Sequence, residues 1–354
     1  MLTIEDLLKV AKEKKASDLH VTVGVPPKIR VNGDLVDTRF PKLLPKDIAA
    51  LLTPVLTPHF QKILDEKGEV DFSYAIPGLG RYRVNVFKQR GSLAFVMRLI
   101  PTNIPSPESL GIPQSVLDLT NRKRGLVLVT GPTGSGKSTT LATLINIINE
   151  SKPYHIITLE DPIEYMHNHK KACINQREIG LDSLSYPNSL RAALREDPDV
   201  ILVGEMRDLE TITIALTAAE TGHLVFSTLH TIGAGPSIDR IIDVFPPGQQ
   251  QQVRIQLASV LEAIISQSLM PTATGNGRVA AFEVMLGDVA IKNLIREAKT
   301  HQINGIIETS KKSGMKLMDD SIMELYMQRR ISSDTAISFA QDPINFQKKL
   351  YTMH

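Results

Sequence analysis

The chain has 354 residues, 42% of them hydrophobic and 22% charged, which is the make-up of an ordinary globular protein long enough for two cores. Forty Lys and Arg against 38 Asp and Glu leave a formal net charge of +2, too little for the broad basic face that non-specific nucleic-acid binding requires, so no nucleic-acid partner is expected. The single cysteine, Cys173, excludes an intramolecular disulfide framework and a cysteine-built zinc site; it is expected to be a small buried hydrophobe.

In chain order, Met1-Leu2-Thr3-Ile4-Glu5-Asp6 lacks a basic segment leading into an apolar core, so no secretory signal is expected there. No apolar run approaches the roughly 20 residues that span a bilayer. The expectation is a cytoplasmic protein with no direct membrane insertion. Leu7, Leu8 and Ala11 share one side of a helix predicted over Leu2–Lys15. Asp18–Gly24 and Lys28–Val36 read as extended, the second carrying the turn pair Asn32-Gly33. A helical region is predicted from about Pro45 to Glu66. Strands follow over Glu69–Ile76, Arg81–Gln89 and Leu93–Ile100, the first two joined by Pro77-Gly78-Leu79-Gly80. Residues 1–100 therefore read as an α+β module. Pro101, Pro105, Pro107 and Pro113 then mark residues 101–113 as a stiff linker.

From Gly125 the pattern becomes short, wholly apolar strands alternating with helical stretches. Leu126–Thr130, His155–Glu160, Val200–Val203 and His223–Thr228 are the predicted strands. Runs without polar alternation suit a parallel sheet covered on both faces, so residues 114–354 read as an α/β domain. Gln249–Leu269 carries Val253, Leu257, Val260, Leu261 and Ile264 on one helical stripe, a strand is predicted over Arg278–Met285, and residues from about 287 onward form a helical tail.

Gly131-Pro132-Thr133-Gly134-Ser135-Gly136-Lys137-Ser138 matches G-x-x-x-x-G-K-[ST] between the strand Leu126–Thr130 and a helix predicted over Ser138–Asn149. Such a loop cradles nucleotide phosphates on backbone N–H groups, Thr139 continuing the cradle into the helix. Lys137 supplies positive charge, and the Ser138 hydroxyl is the expected ligand of Mg²⁺ beside ATP. The plain alternative is a glycine-rich turn.

Val200-Ile201-Leu202-Val203-Gly204-Glu205 sets an acid beyond an apolar strand, where Glu205 would act through Mg²⁺ or a bound water. Ile157-Thr158-Leu159-Glu160-Asp161-Pro162-Ile163-Glu164-Tyr165 crowds three carboxylates at a strand end, which costs energy unless a cation or a proton transfer offsets it. Hydrolysis needs one carboxylate to orient and deprotonate water; Glu164 is the first candidate and Glu160 the second, with capping or surface ion pairs as alternatives. His230 follows the strand that begins near His223, at the end where open α/β sheets bind ligands, and is the candidate γ-phosphate sensor; His223 reads as structural.

These segments resemble the type II/type IV secretion ATPase superfamily. Ile157–Tyr165 is similar to its Asp box, Asp197–Asp208 to its Walker B region and Thr221–Thr231 to its His box. Ala16-Ser17-Asp18-Leu19-His20, Pro26–Gly33 and Ala290-Ile291-Lys292-Asn293-Leu294-Ile295-Arg296-Glu297 resemble signatures of the branch that retracts type IV pili, with Lys292 where an arginine is usual. The paired zinc-binding cysteines usual in the extension and type II secretion enzymes have no counterpart in a sequence with one cysteine, and no extra N-terminal domain of their kind is expected. The resemblance implies a PAS-like domain ahead of a RecA-like P-loop ATPase domain. It implies a homohexamer working on an inner-membrane platform protein of the pilus machinery. It also implies arginines of the first domain reaching the phosphates: Arg83 and Arg98, with Arg81 on the same strand face as Arg83. Arg191 and Arg195, four apart before the Walker B strand, suit either a neighbouring subunit or plain surface.

Overall fold

The first helix, α1 (Ile4–Glu13), starts where two residues cap each other: the Asp6 N–H donates to Thr3 Oγ1 at 3.2 Å and the Thr3 N–H to Asp6 Oδ2 at 3.1 Å. Its Leu7 and Leu8 are fully buried. The computed structural model describes residues 2–31 and 33–352, and the chain divides into two compact units. The first comprises the residues up to Thr102 together with Pro162–Met166; the second comprises Asn103–Asp161 and the residues from His167 onward.

In the first unit, β1 (Asp18–Val21), β2 (Lys28–Val31) and β3 (Asp34–Asp37) are followed by α2 (Pro45–Leu52) and α3 (Pro58–Lys67). After these come β4 (Glu69–Ile76), β5 (Gly80–Gln89) and β6 (Ser92–Ile100). The expected Lys28–Val36 stretch is thus a hairpin in which Val31 pairs with Asp34; Gly33 there has φ +97°, and Asn32 of the expected turn pair lies outside the described residues. The helical region expected over Pro45–Glu66 is two helices. Pro54 and Pro58 cannot supply the N–H groups a continuous helix needs, and Pro58 instead takes the first position of α3 behind a Thr57 cap. The strands lie in the order β3-β2-β1-β6-β5-β4. Alternation along β5 buries Tyr82, Val84 and Val86 against Leu8, Leu19, Ile48 and Leu64, and leaves Arg81, Arg83 and Asn85 on the opposite face.

The second unit opens with α4 (Pro107–Leu110) and α5 (Gln114–Leu117), then runs through β7 (Gly125–Thr130), α6 (Lys137–Ser151), β8 (His155–Glu160), β9 (Cys173–Glu178) and α7 (Tyr186–Ala193). It continues through β10 (Val200–Val203), α8 (Leu209–Glu220), β11 (Leu224–Leu229), α9 (Ala234–Asp243), α10 (Pro247–Val260), β12 (Leu261–Pro271) and β13 (Arg278–Leu286). Five short helices close it: α11 (Val289–Arg296), α12 (Ile303–Thr309), α13 (Met318–Met327), α14 (Ser333–Phe339) and α15 (Pro343–Thr352). The sheet order is β13-β12-β7-β11-β10-β8-β9, with every neighbouring pair parallel except β12 and β13. Leu126 and Leu128 of β7 enter one apolar cluster, and Val127 and Val129 a second. The sheet is therefore buried on both faces, which is why its strands show no polar alternation.

Two further expectations need correction, and one strand lies outside them. The stripe read as one helix over Gln249–Leu269 is α10 followed directly by β12. Leu261 and Ile264 belong to a strand buried on both faces, whose apolar run mimics helical spacing. Cys173 is exposed, not buried, because it starts β9, the outermost strand, on the side facing solvent. The strand β9 itself was not anticipated, since Cys-Ile-Asn-Gln-Arg-Glu is too polar to read as a central strand.

Candidate functional site

The parallel strands β7, β11, β10 and β8 end at one edge of the sheet, and the sequence candidates of the second unit gather there. Beyond β7 the loop from Gly131 to Gly136 leads into α6. Gly131, Gly134 and Gly136 have φ of +139°, +80° and +91°, backbone that side chains strain to adopt. The first turn of α6 has no side-chain cap, so its N–H groups and the helix dipole face outward, a ready anion site. Lys137 is 8% exposed; its ammonium donates to the carbonyls of Gly131 at 2.8 Å and Pro132 at 3.0 Å. Pro132, Thr133 and Gly134 are exposed, Ser138 and Thr139 half-buried, and Ser135 buried. The hydroxyls of Thr130 and Ser135 are buried without a protein partner, polar atoms that a phosphate oxygen or water can satisfy.

One strand over, His230 follows β11, and one strand further Glu205 follows β10. His230 Nε2 lies 3.5 Å from Glu205 Oε2, and Arg207 Nε lies 2.7 Å from the same oxygen. Glu160 ends β8; its Oε1 accepts from Thr158 Oγ1 at 2.6 Å and from Gln176 Nε2 at 3.1 Å. His223 sits just ahead of β11, its Nδ1 2.9 Å from the Ala218 carbonyl, the arrangement of a structural histidine.

Two residues that local pattern did not signal complete this edge. Tyr186, the first residue of α7, brings its hydroxyl against Gly204, where a Cβ would stand 2.6 Å from it. Burial pushes this phenol well above its ordinary range, and Asp161, Glu205 and Glu160 push it further. Gln267 of β12 is 4% exposed and lies along the glycine-rich loop. A lone Tyr before a helix and a lone Gln inside an apolar strand carry no spacing that marks them beforehand.

Apart from Arg191 and Arg195, the remaining candidates belong to the first unit. Glu164 is exposed in the segment Pro162–Met166, whose Met166 N–H donates to the Pro101 carbonyl at 3.3 Å. Arg83, Arg98, Asp18 and Arg30 form one cross-strand row over β5, β6, β1 and β2, in which Arg98 and Arg30 flank the Asp18 carboxylate and Arg83 lies beyond Arg98. Asp18 is 4% exposed; Arg98 Nε lies 2.7 Å from it and Arg30 Nε 3.9 Å. Burial alone would raise this carboxyl, but Ser17 and Arg98 outweigh it and hold it below the usual value. Arg83 Nε is 3.6 Å from Asp71, and Arg81 is half-buried. Arg191 pairs with Glu210, and Arg195 is exposed.

Residues 96–340 match the family model described as type II/IV secretion system protein. The chain belongs to this family. Among type II/IV secretion system proteins it is 51% identical over 340 residues to a twitching motility protein of Neisseria gonorrhoeae, covering 96% of this chain and 91% of that one. It is 48% identical over 345 residues to the type IV pilus retraction ATPase PilT of Pseudomonas aeruginosa, covering 98% of this chain and all of the other. A crystal structure of the pilus retraction motor PilT with bound ADP superimposes with a TM-score of 0.92 at 50% identity, covering 98% of this chain and 100% of that chain. The fold is thus the family's α/β, RecA-like ATPase domain with a smaller α+β domain ahead of it.

Proposed function

We propose that this chain is an ATP-hydrolysing motor that powers type IV pilus retraction, and hence twitching motility, by driving pilin disassembly. The observation that carries the reading is the meeting, at one edge of a parallel sheet, of the Gly131–Ser138 loop with the Glu205–His230 pair. A phosphate cradle alone binds; a carboxylate and a histidine beside it can also order a water and sense the terminal phosphate. The near full-length likeness to pilus retraction proteins sets the task to which that chemistry is put.

In this reading the N–H groups from Gly131 to Thr139 hold the phosphates, and the Lys137 ammonium exchanges its two carbonyl partners for phosphate oxygens. The residues fit Mg²⁺ as well: the Ser138 hydroxyl and the Glu205 carboxylate are hard oxygen donors, and the bound ion would neutralise charge on the phosphates. Glu164 orients and deprotonates the attacking water. Glu160, whose Oε1 accepts from Thr158 and Gln176, is the second choice. His230 reads the terminal phosphate through Glu205. Arg83 and Arg98, with Arg81 beside them, close over the phosphates from the smaller domain.

Residues 1–100 and 114–354 act as two bodies joined by a linker at 101–113, and a change of angle between them is the working stroke. Thr143 of α6 donates to the Pro105 carbonyl at 3.1 Å, which ties the helix that starts at Lys137 to that linker. The proposed assembly is a homohexamer on the cytoplasmic side of the inner membrane, acting on the platform protein of the pilus machine. Among the described residues no helix is long and apolar enough to cross a membrane. The test is deletion of the gene together with a phosphate-release assay on the purified protein. Surplus surface pili without twitching, and Mg²⁺-dependent release of phosphate from ATP, are expected. Bald cells would reverse the direction of the motor, and no release would remove the hydrolase.

A further inference from the structure

β12 runs parallel to β7 and outlasts it. Ser266 pairs with Thr130, the last residue of β7, so the next residue, Gln267, travels beside the loop that β7 feeds. Its backbone carbonyl occupies the space over Gly131, where a Cβ would stand 2.3 Å away. Its side-chain Nε2 occupies the space over Gly136, where a Cβ would stand 2.8 Å away. Its Oε1 accepts from Thr140 Oγ1 of α6 at 2.8 Å, with both side chains buried. One residue thus touches the entry glycine, the exit glycine and the first turn of the helix. Consecutive strand residues point to opposite faces, and the other face is also occupied: Ser266 Oγ accepts from the Gly233 N–H at 3.0 Å. Glu283, paired with Ser266 across β13, accepts from the Ala234 N–H at 2.8 Å. Gly233 and Ala234 lie three and four residues after His230.

We propose that Gln267 is a positioning residue for nucleotide binding, clamping the Gly131–Gly136 loop and the start of α6 in the shape that aims their N–H groups at the phosphates. Through Ser266, its neighbour in the strand, the same dipeptide braces the segment that follows His230. The proposal rests on the reading of this loop as the nucleotide site and adds a residue from outside the motif that sets its shape. A bulky apolar side chain in place of Gln267 would leave the Thr140 hydroxyl buried without an acceptor and the loop free to relax, and the loss of one buried neutral hydrogen bond corresponds to about a five- to tenfold effect.

The experiment measures binding of a fluorescent ATP analogue, turnover and ligand-free melting temperature for the full chain and for Q267L, Q267E, T140V, T140S and K137A. Q267L is expected to bind the analogue about five- to tenfold more weakly while its ligand-free melting temperature moves by only a few degrees. Q267E keeps the acceptor for Thr140 and should fall between Q267L and the parent. T140S keeps the hydroxyl and should match the parent, whereas T140V should not. Combining Q267L with T140V should add little to either alone, because both remove one contact. Should Q267L fail to fold, the contrast between T140S and T140V carries the test by itself. Parent-like affinity in both Q267L and T140V, with K137A losing binding, would overturn the role of Gln267 and leave the nucleotide site standing. If the parent itself binds no analogue, both fall.

Discussion

At the scale of single residues, the two candidate carboxylates, Glu164 and Glu160, can be told apart by what each variant loses. With Glu164 as the proposed base, Glu164→Gln should lower turnover by at least about a hundredfold while leaving ATP affinity intact, whereas Glu160→Gln should spare a measurable rate. Single-turnover kinetics with equilibrium binding decide between them, and full turnover by the Glu164 variant would sink the assignment. Asp18 gives a pH-dependent test. Its carboxyl is held below 3.8, so its contribution is complete above that pH and is lost as pH falls through the folded value. Asp18→Asn should cost about 2 kcal/mol at neutral pH, because Arg98 and Arg30 lose their shared carboxylate, and the difference from the parent should shrink in acid. Urea denaturation at pH 7 and pH 3 measures it. The loop from Gly131 to Ser138 was legible because the backbone constraint is written as glycines at fixed spacing. Tyr186 and Gln267 were not, because their role comes from which strands become neighbours.

At the scale of elements, legibility followed how strictly each strand's surroundings shape its sequence. The central strands β7, β8 and β10 carry largely apolar cores and stand out, and β4 to β6 show the alternation of a sheet with one covered face. At the rim and at abrupt junctions that signal fails. The edge strand β9 has one open side and tolerates polar residues, and α10 passes into β12 with no turn residue between Val260 and Leu261. The segment ahead of β9 holds a sensor of its own packing. Burial, aided by Lys170, pushes His167 down to about 4 from 6.5. A depressed histidine stabilises the fold above its unfolded value and withdraws that stability as pH falls through the folded value. The second unit should therefore lose up to about 3 kcal/mol between pH 6.5 and pH 4, and His167→Gln should flatten that portion of the curve. Thermal melts across this range check it; parallel curves for parent and variant would place the buried proton elsewhere.

At the scale of the molecule, the edge that collects Lys137, Glu205 and His230 also starts α6, whose Thr143 donates to the Pro105 carbonyl; in the proposed motor the mechanical path begins there. If subunits work as a ring, an inactive subunit burdens its neighbours. Mixing parent with Lys137→Ala chains before assembly should reduce turnover more steeply than the fraction of inactive chains, and a strictly proportional decline would mean that each chain works alone. Thr143→Val should leave nucleotide affinity within about twofold and lower the work obtained per ATP, seen as slower retraction at unchanged phosphate release. The proposed link from hydrolysis to motion was only partly visible beforehand: the prolines of 101–113 stand out in the sequence, but the Thr143 hydroxyl that reaches Pro105 emerges only once α6 is in place.

The exposed thiol at Cys173 has a consequence for the protein outside a reducing environment. It stands on the outermost strand with no second cysteine in the chain to pair with, so oxidation in air can join it only to a small thiol or to another copy. Protein handled without reductant should show a covalent dimer on a non-reducing gel that Cys173→Ser cannot form. The same solitary sulfur offers a place to attach one dye per subunit without altering any other residue.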